Sequence, residues 1–122
     1  MKLEILPDEL TVCKLYSVES IDPAEDFYFI GKTADEISLV CRTKRTPVKT
    51  AAREDGWRGF RIDGTLDFSL VGILSRILAV LAENGIGIFA VSTFNTDYIL
   101  VKAENLDQAA SALKEAGYDI SR

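Results

Sequence analysis

Leu70, Ile73, Leu74, Ile77, Leu78 and Leu81 fall three and four residues apart, which lays one apolar stripe along a helix. Ser69 stands just before that run. A hydroxyl there can accept from the orphan N–H groups of a first turn, so Ser69 is the expected N-cap. Asn84 and Gly85 end the run, and Gly85 suits the left-handed residue that closes many helices. Residues 86–94 are apolar and strand-like, 95–97 form a turn, and 98–103 return as the second arm of a hairpin. Asn105, with Gln108 three residues on, has the form of a capping box. The helix it opens carries Leu106, Ala109, Ala110, Leu113 and Ala116 on one face, and Gly117 stops it. Residues 60–63 before this series and 118–120 after it read as short strands.

The resulting order is β-α-β-β-α-β, the split plan of an α+β, ferredoxin-like fold. The first half looks like a reduced version of it. Strands are expected at 10–16, 27–31, 37–41 and 57–62. The segment 21–26 between the first two is polar and too short for a full helix. Residues 44–55 are basic and irregular, with one helical turn expected near 50–53. No Gly/Ser linker separates the halves, so 1–61 and 62–122 are expected to pack as one unit. A weak internal repeat aligns Glu36, Ile37, Ser38, Leu39 and Val40 with Asp97, Tyr98, Ile99, Leu100 and Val101, at an offset of 61, though an acid before an apolar strand also arises by chance.

The strand at 86–94 is apolar on both faces: Ile86, Ile88 and Ala90 on one, Phe89 and Val91 on the other. Helices cover only one face of a four-stranded sheet of this plan. Something else should cover the second, either the first half, a second chain, or both. A homodimer is the expected assembly.

Composition then narrows the chemistry. The 122 residues are 48% hydrophobic and 27% charged, enough apolar content for a folded core. A net charge of −5 disfavours nucleic acid and anionic membrane as partners. The absence of histidine removes the Ser-His-Asp and Cys-His pairs, the usual general base and the commonest metal ligand. Two cysteines, Cys13 and Cys41, cannot build a cysteine-rich zinc site, and free buried thiols fit a reducing, cytoplasmic setting. The N-terminus, with Glu4, Pro7 and Asp8, does not read as a signal peptide, and charges at Arg76 and Glu83 break the most apolar stretch. No catalytic set, cofactor fingerprint or phosphate loop assembles. Lys44, Arg45, Lys49 and Arg53 read as a solvated loop, and Phe27, Tyr28 and Phe29 as core.

One spot combines complementary chemistry. A first helical turn beginning after Ser69 would present the N–H groups of Leu70, Val71 and Gly72, which suit a carboxylate. Gly72 lacks a Cβ and permits close approach. At the same end Ser92, Thr93, Asn95, Thr96 and Asp97 offer hydroxyls, an amide and an acid that could receive an ammonium. Capping by Ser69 and turn formation by residues 95–97 would explain the same residues without a ligand.

Ser69, Leu70, Val71, Gly72, Ile73 and Leu74, followed by Ile86, Gly87 and Ile88, resemble the ACT-domain pattern. Gly72, Ile73 and Leu74 match it; Ser69, Val71 and Gly87 stand where the family often has Asp, Pro and Asn. Four motifs, at 35–41, 56–58, 66–74 and 92–101, resemble small bacterial tandem ACT proteins in the same order, and the last two are similar to units of cytosolic arginine sensors. The resemblance implies two ACT-like halves, 1–61 truncated and 62–122 complete. It implies a regulatory, non-catalytic protein that binds a small ligand, most often an amino acid, at a contact between ACT units. Ser69, Leu70, Val71 and Gly72 would take the carboxylate, with Thr93, Asn95, Thr96 and Asp97 facing the ligand. Output would pass through a protein partner or self-association. The alternative is a dimerisation or interaction module without a ligand.

Overall fold

The computed structural model describes residues 1–64 and 71–122. Ser69 and Leu70, two of the expected site residues, lie outside the described residues. The chain forms two compact units, one of Asp8–Trp57 and one of Met1–Pro7 with Arg58–Arg122. The long strand β5 (Ala52–Ile62) serves both.

The unit of 58–122 contains the end of β5, α1 (Ile73–Glu83), β6 (Ile88–Ser92), β7 (Asp97–Lys102), α2 (Leu106–Glu115) and β8 (Asp119–Ser121). The α+β, ferredoxin-like order is therefore present. One strand was not foreseen. β1 (Lys2–Ile5) runs antiparallel to β5 and parallel to β8, so the sheet order is β8-β1-β5-β7-β6. The reason lies in alternation: Leu3 and Ile5 are buried, while Lys2 and Glu4 point the other way. A four-residue strand beside the terminus is too short for a pattern to stand out.

Both helices bury one stripe. Ile77 and Leu81 of α1 meet Ala109 and Leu113 of α2 over Leu3, Phe60, Ile62, Ile99 and Val101 of the sheet. The end of α1 is a Schellman closure, in which Gly85 has φ 70 and the Ile86 N–H donates to the Leu81 carbonyl at 3.0 Å. Its start is a correction. The helix begins at Ile73, and Gly72, with φ 81, is its N-cap. The N-cap position is therefore three residues later than the expected Ser69. The capping box at Asn105 is also absent. The 3-10 turn Ala103–Asn105 leads into α2, Asn105 makes no side-chain cap, and the Gln108 amide instead donates to the Asn84 carbonyl at 3.2 Å.

The unit of 8–57 has the same element order in miniature. β2 (Leu10–Lys14), β3 (Tyr28–Lys32), β4 (Ile37–Arg42) and the first part of β5 pair in the order β3-β4-β2-β5. This unit has no α-helix: Val18–Ser20 and Thr43–Arg45 are 3-10 turns, the second equivalent to Ala103–Asn105, and nothing helical follows it where α2 follows that turn. The second turn lies at 43–45 rather than 50–53, because β5 already begins at Ala52 and pairs with Lys14.

The hairpins of the two units repeat at an offset of 60, not 61. Tyr28 pairs with Cys41 and Lys32 with Ile37; Ile88 pairs with Val101 and Ser92 with Asp97. The Thr33 N–H donates to the Glu36 carbonyl and the Thr93 N–H to the Thr96 carbonyl, each at 2.9 Å. Glu36 therefore corresponds to Thr96, and Asp97 to Ile37. A one-residue slip exchanges the faces of a strand. The observed register superposes buried Leu39, Val40 and Cys41 on buried Ile99, Leu100 and Val101.

Candidate functional site

β5 ends at Ile62, and its continuation is fixed before it leaves the sheet. The Asp63 N–H donates to the Lys2 carbonyl at 2.9 Å, and the Asp63 carboxylate receives Arg61 Nη2 at 2.9 Å and the Gly64 N–H at 3.1 Å. The β6–β7 turn meets the same end. The Thr96 hydroxyl donates to the Ile62 carbonyl at 2.7 Å, and Thr96 is buried. Thr93 closes the turn, with its hydroxyl donating to the Thr96 carbonyl at 2.9 Å. Thr96 and Thr93 are thus structural ties. Asn95 is exposed at the tip, and Asp97 is half-buried at the start of β7 opposite Ser92.

Of the four residues assigned to the carboxylate, Val71 and Gly72 are described. They precede the helix rather than forming its first turn, so the first-turn donors of α1 are the N–H groups of Ile73, Leu74 and Ser75. No side chain among the described residues caps them. Gly72 is required by its left-handed backbone; alanine there meets conformational strain before it meets any ligand. A Cβ at Gly72 would lie 3.6 Å from Ser75 Oγ and 3.8 Å from Arg76 Nη2, so the Arg76 guanidinium folds back over the helix start.

Arg76 was missed by the sequence reading, where it only interrupts an apolar run. Its signal is its place four residues after Gly72. A cation at a helix N-terminus opposes the helix dipole and costs stability. With the first-turn N–H groups of α1 it makes this end chemically suited to an anion. Val71 and Phe94, in the loops at this end, are 84% and 80% exposed.

Leu100 is fully buried although Ile99 and Val101 point to the helix-covered core, and Phe89 and Val91 of β6 are half-buried. Among the described residues no group of three Cys, Asp or Glu converges as a metal site requires, and no helix is long and apolar enough to cross a membrane.

A family model of the ACT domain matches residues 52–115, from the first residue of β5 to the last of α2 and just over half of the chain. The chain belongs to the ACT-domain family. A solved protein from Agobacterium tumefaciens is 35% identical to this ACT protein, with a TM-score of 0.85 over 98% of this chain and 90% of that one. A protein of unknown function from Vibrio cholerae is 18% identical, with a TM-score of 0.71 over 92% of this chain and 86% of that one. The ligand-free regulatory subunit of aspartate kinase from Thermus thermophilus is 12% identical, with a TM-score of 0.68 over 96% of this chain and 97% of that one. The last two share the fold.

Proposed function

We propose that this ACT protein is a cytoplasmic, non-catalytic regulatory sensor that binds an amino acid at the end of the 58–122 unit where β5, α1 and the β6–β7 turn meet. The observation that carries this reading is the start of α1, capped by no side chain among the described residues, with Arg76 folded over it. A ligand carboxylate would receive the N–H groups of Ile73, Leu74 and Ser75 and the Arg76 guanidinium. Asp97 would pair with the ammonium, Asn95 would orient the ligand, and Ser69, Leu70, Val71 and Gly72 would form the approach. Thr93 and Thr96 hold the turn in place. ACT domains serve as regulatory modules, and the tandem arrangement of two ACT-like halves, the first truncated, fits that role.

The exposure of Val71 and Phe94 at the same end fits a site completed by a second copy, in a homodimer. Its output would then pass through that assembly or a protein partner.

A thermal-shift screen with the standard L-amino acids tests the reading. A ligand at a hundredfold excess over its Kd should add about 2.7 kcal/mol of stability. Asp97→Asn should then cost on the order of 2–5 kcal/mol of affinity, as truncating one partner of a buried charged pair does, with unliganded stability unchanged. Binding by Asp97→Asn as tight as the parent's would remove Asp97 from the site.

A further inference from the structure

The two thiols of the 8–57 unit take no part in the site at the start of α1. Cys13 of β2 stands opposite Leu39 of β4, and Cys41 of β4 stands opposite Thr11 of β2. The thiols are therefore diagonal neighbours on adjacent strands, and both belong to one buried cluster with Leu15 and Leu39. They are near enough for a side-chain hydrogen bond between them to shift the ionisation of each. Diagonal neighbours have Cα atoms about 7–8 Å apart. A disulfide spans about 4.4–6.8 Å between Cα atoms, so forming one here would have to draw the two backbones together. Two thiolates on opposite sides of one ion, with metal–sulfur bonds of about 2.3 Å, stand about 4.6 Å apart. Diagonal side chains that lean toward each other suit that wider bridge.

No helix covers the sheet of this unit, and a cavity of about 270 Å³ lies above Leu39 and Cys41. Cys41 is on its floor, with Cys13 beside it on the next strand. Thr46, on the cavity wall, holds its Oγ1 3.6 Å from Cys41 Sγ, where it can support a bound thiolate. Arg53 of β5 is paired with Cys13. Burial raises the pKa of both thiols, and the Arg53 guanidinium, itself 2.8 Å from Asp55, opposes that rise. Thiolates select soft cations. Zinc needs four ligands, and no third Cys, Asp or Glu joins the pair among the described residues. A soft, closed-shell monovalent ion is satisfied by two.

We propose that Cys13 and Cys41 form a two-coordinate site for a soft monovalent cation of the Cu(I) class, reached through the cavity at Cys41. The ion displaces both thiol protons to solvent, and the resulting complex carries one excess negative charge beside Arg53. This inference stands on the 8–57 unit alone and does not require the site at the start of α1.

The test is an anaerobic titration of the native full chain with Cu(I) held by a chromophoric chelator, with Zn(II) as the control. One Cu(I) per chain should leave the chelator, Zn(II) should not bind, and X-ray absorption should find two sulfur neighbours around the copper. The site exists only in the folded chain, so Cu(I) should raise the melting temperature. Cys13→Ala and Cys41→Ala, each alone, should weaken binding by more than about a hundredfold, beyond what loss of an outer-shell partner costs. The proposal is overturned by no transfer from the chelator, by Zn(II) binding as tightly, or by three or more sulfur neighbours. It is overturned equally by a melting temperature that Cu(I) leaves unchanged or lowers, by copper-dependent dimerisation, or by either cysteine variant binding like the parent. A urea-unfolded chain that takes Cu(I) as tightly as the native one would reduce the contact to adventitious thiol chemistry. X-ray absorption on the parent needs no variant, so it decides the matter even where a cysteine variant fails to fold. Each of these failures would leave the reading of the α1 end standing.

Discussion

The two units share a hairpin register and differ in what lies above it. In the 58–122 unit two amphipathic helices close the sheet with Ile77, Leu81, Ala109 and Leu113, and the result is a continuous apolar core. In the 8–57 unit the buried cluster is Cys13, Leu15, Leu39 and Cys41, and polar ties hold the rest. The buried Thr11 hydroxyl donates to Asp55 at 2.6 Å and meets the Thr43 hydroxyl at 2.9 Å, while Arg42 gathers Asp8 and Asp26. A sheet can therefore keep its strand order after losing its helices, provided hydrogen bonds and ion pairs anchor the segments that replace them. The consequence is a concavity of about 270 Å³ above Leu39 and Cys41 where the other unit has a core.

Truncating one leucine in each unit puts that contrast on an energy scale. Leu81→Ala opens a void among packed helices and should cost about 4 kcal/mol, in the upper part of the usual range for such truncations. Leu39→Ala only widens an existing cavity and should cost about 2–3 kcal/mol, because fewer packing atoms are lost. Urea unfolding, with the slope checked against the parent, measures both. Equal costs would mean that the 8–57 unit is packed as tightly as its counterpart.

A second contrast follows from the register of the repeat. Thr96 and Glu36 occupy equivalent turn positions, but Thr96 is buried and donates to the Ile62 carbonyl, whereas Glu36 is exposed. Thr96→Val should cost about 1–3 kcal/mol by leaving that carbonyl unpaired, and Glu36→Val should stay within about 0.5 kcal/mol. A Glu36→Val cost as large as that of Thr96→Val would mean that the two turns do the same work.

The same pair of positions shows what sequence could and could not reveal. The helix stripes were legible because six apolar residues at helical spacing outweigh any local ambiguity. So was the duplication of the hairpin. Its offset was not, because the acids Glu36 and Asp97 aligned more visibly than the pairing that sets the register. The helix start was misplaced because Leu70 continues the apolar period, whereas the backbone turn is decided by Gly72 in a left-handed conformation. At the candidate site Asn95 and Asp97 were legible as turn chemistry, and Arg76 was not, since it faces the helix start only once the chain is folded. The cavity was invisible for a related reason. It lies where no helix covers the sheet of the 8–57 unit, and a sequence pattern records residues rather than gaps.

The smallest effect concerns the buried thiols, which belong to one unit only. Cys13 and Cys41 lie on the neighbouring strands β2 and β4, paired with Leu39 and Thr11 respectively, and both are free and buried. Burial, with Cys41 close by, pushes the Cys13 thiol from 9.0 up to about 11. Burial also raises Cys41, while a hydrogen bond with Thr46 pulls the other way. The unfolded chain therefore releases these protons at a lower pH than the folded one. Between about pH 9 and pH 11 the unfolded state binds fewer protons, and stability contributed by the thiols falls as pH rises. Below pH 9 both states hold the protons and the contribution is complete. The informative quantity is the difference between the parent and the double variant Cys13→Ala, Cys41→Ala, in which every other ionisation cancels. The parent should lose more stability across that interval than the variant does, by urea unfolding at fixed ionic strength. Native alkylation at pH 8 should be slow at both thiols and fast after denaturation. A parent and variant with the same pH slope would show that both thiols ionise as they do in the unfolded chain, and that the 8–57 unit admits water to the floor of its sheet.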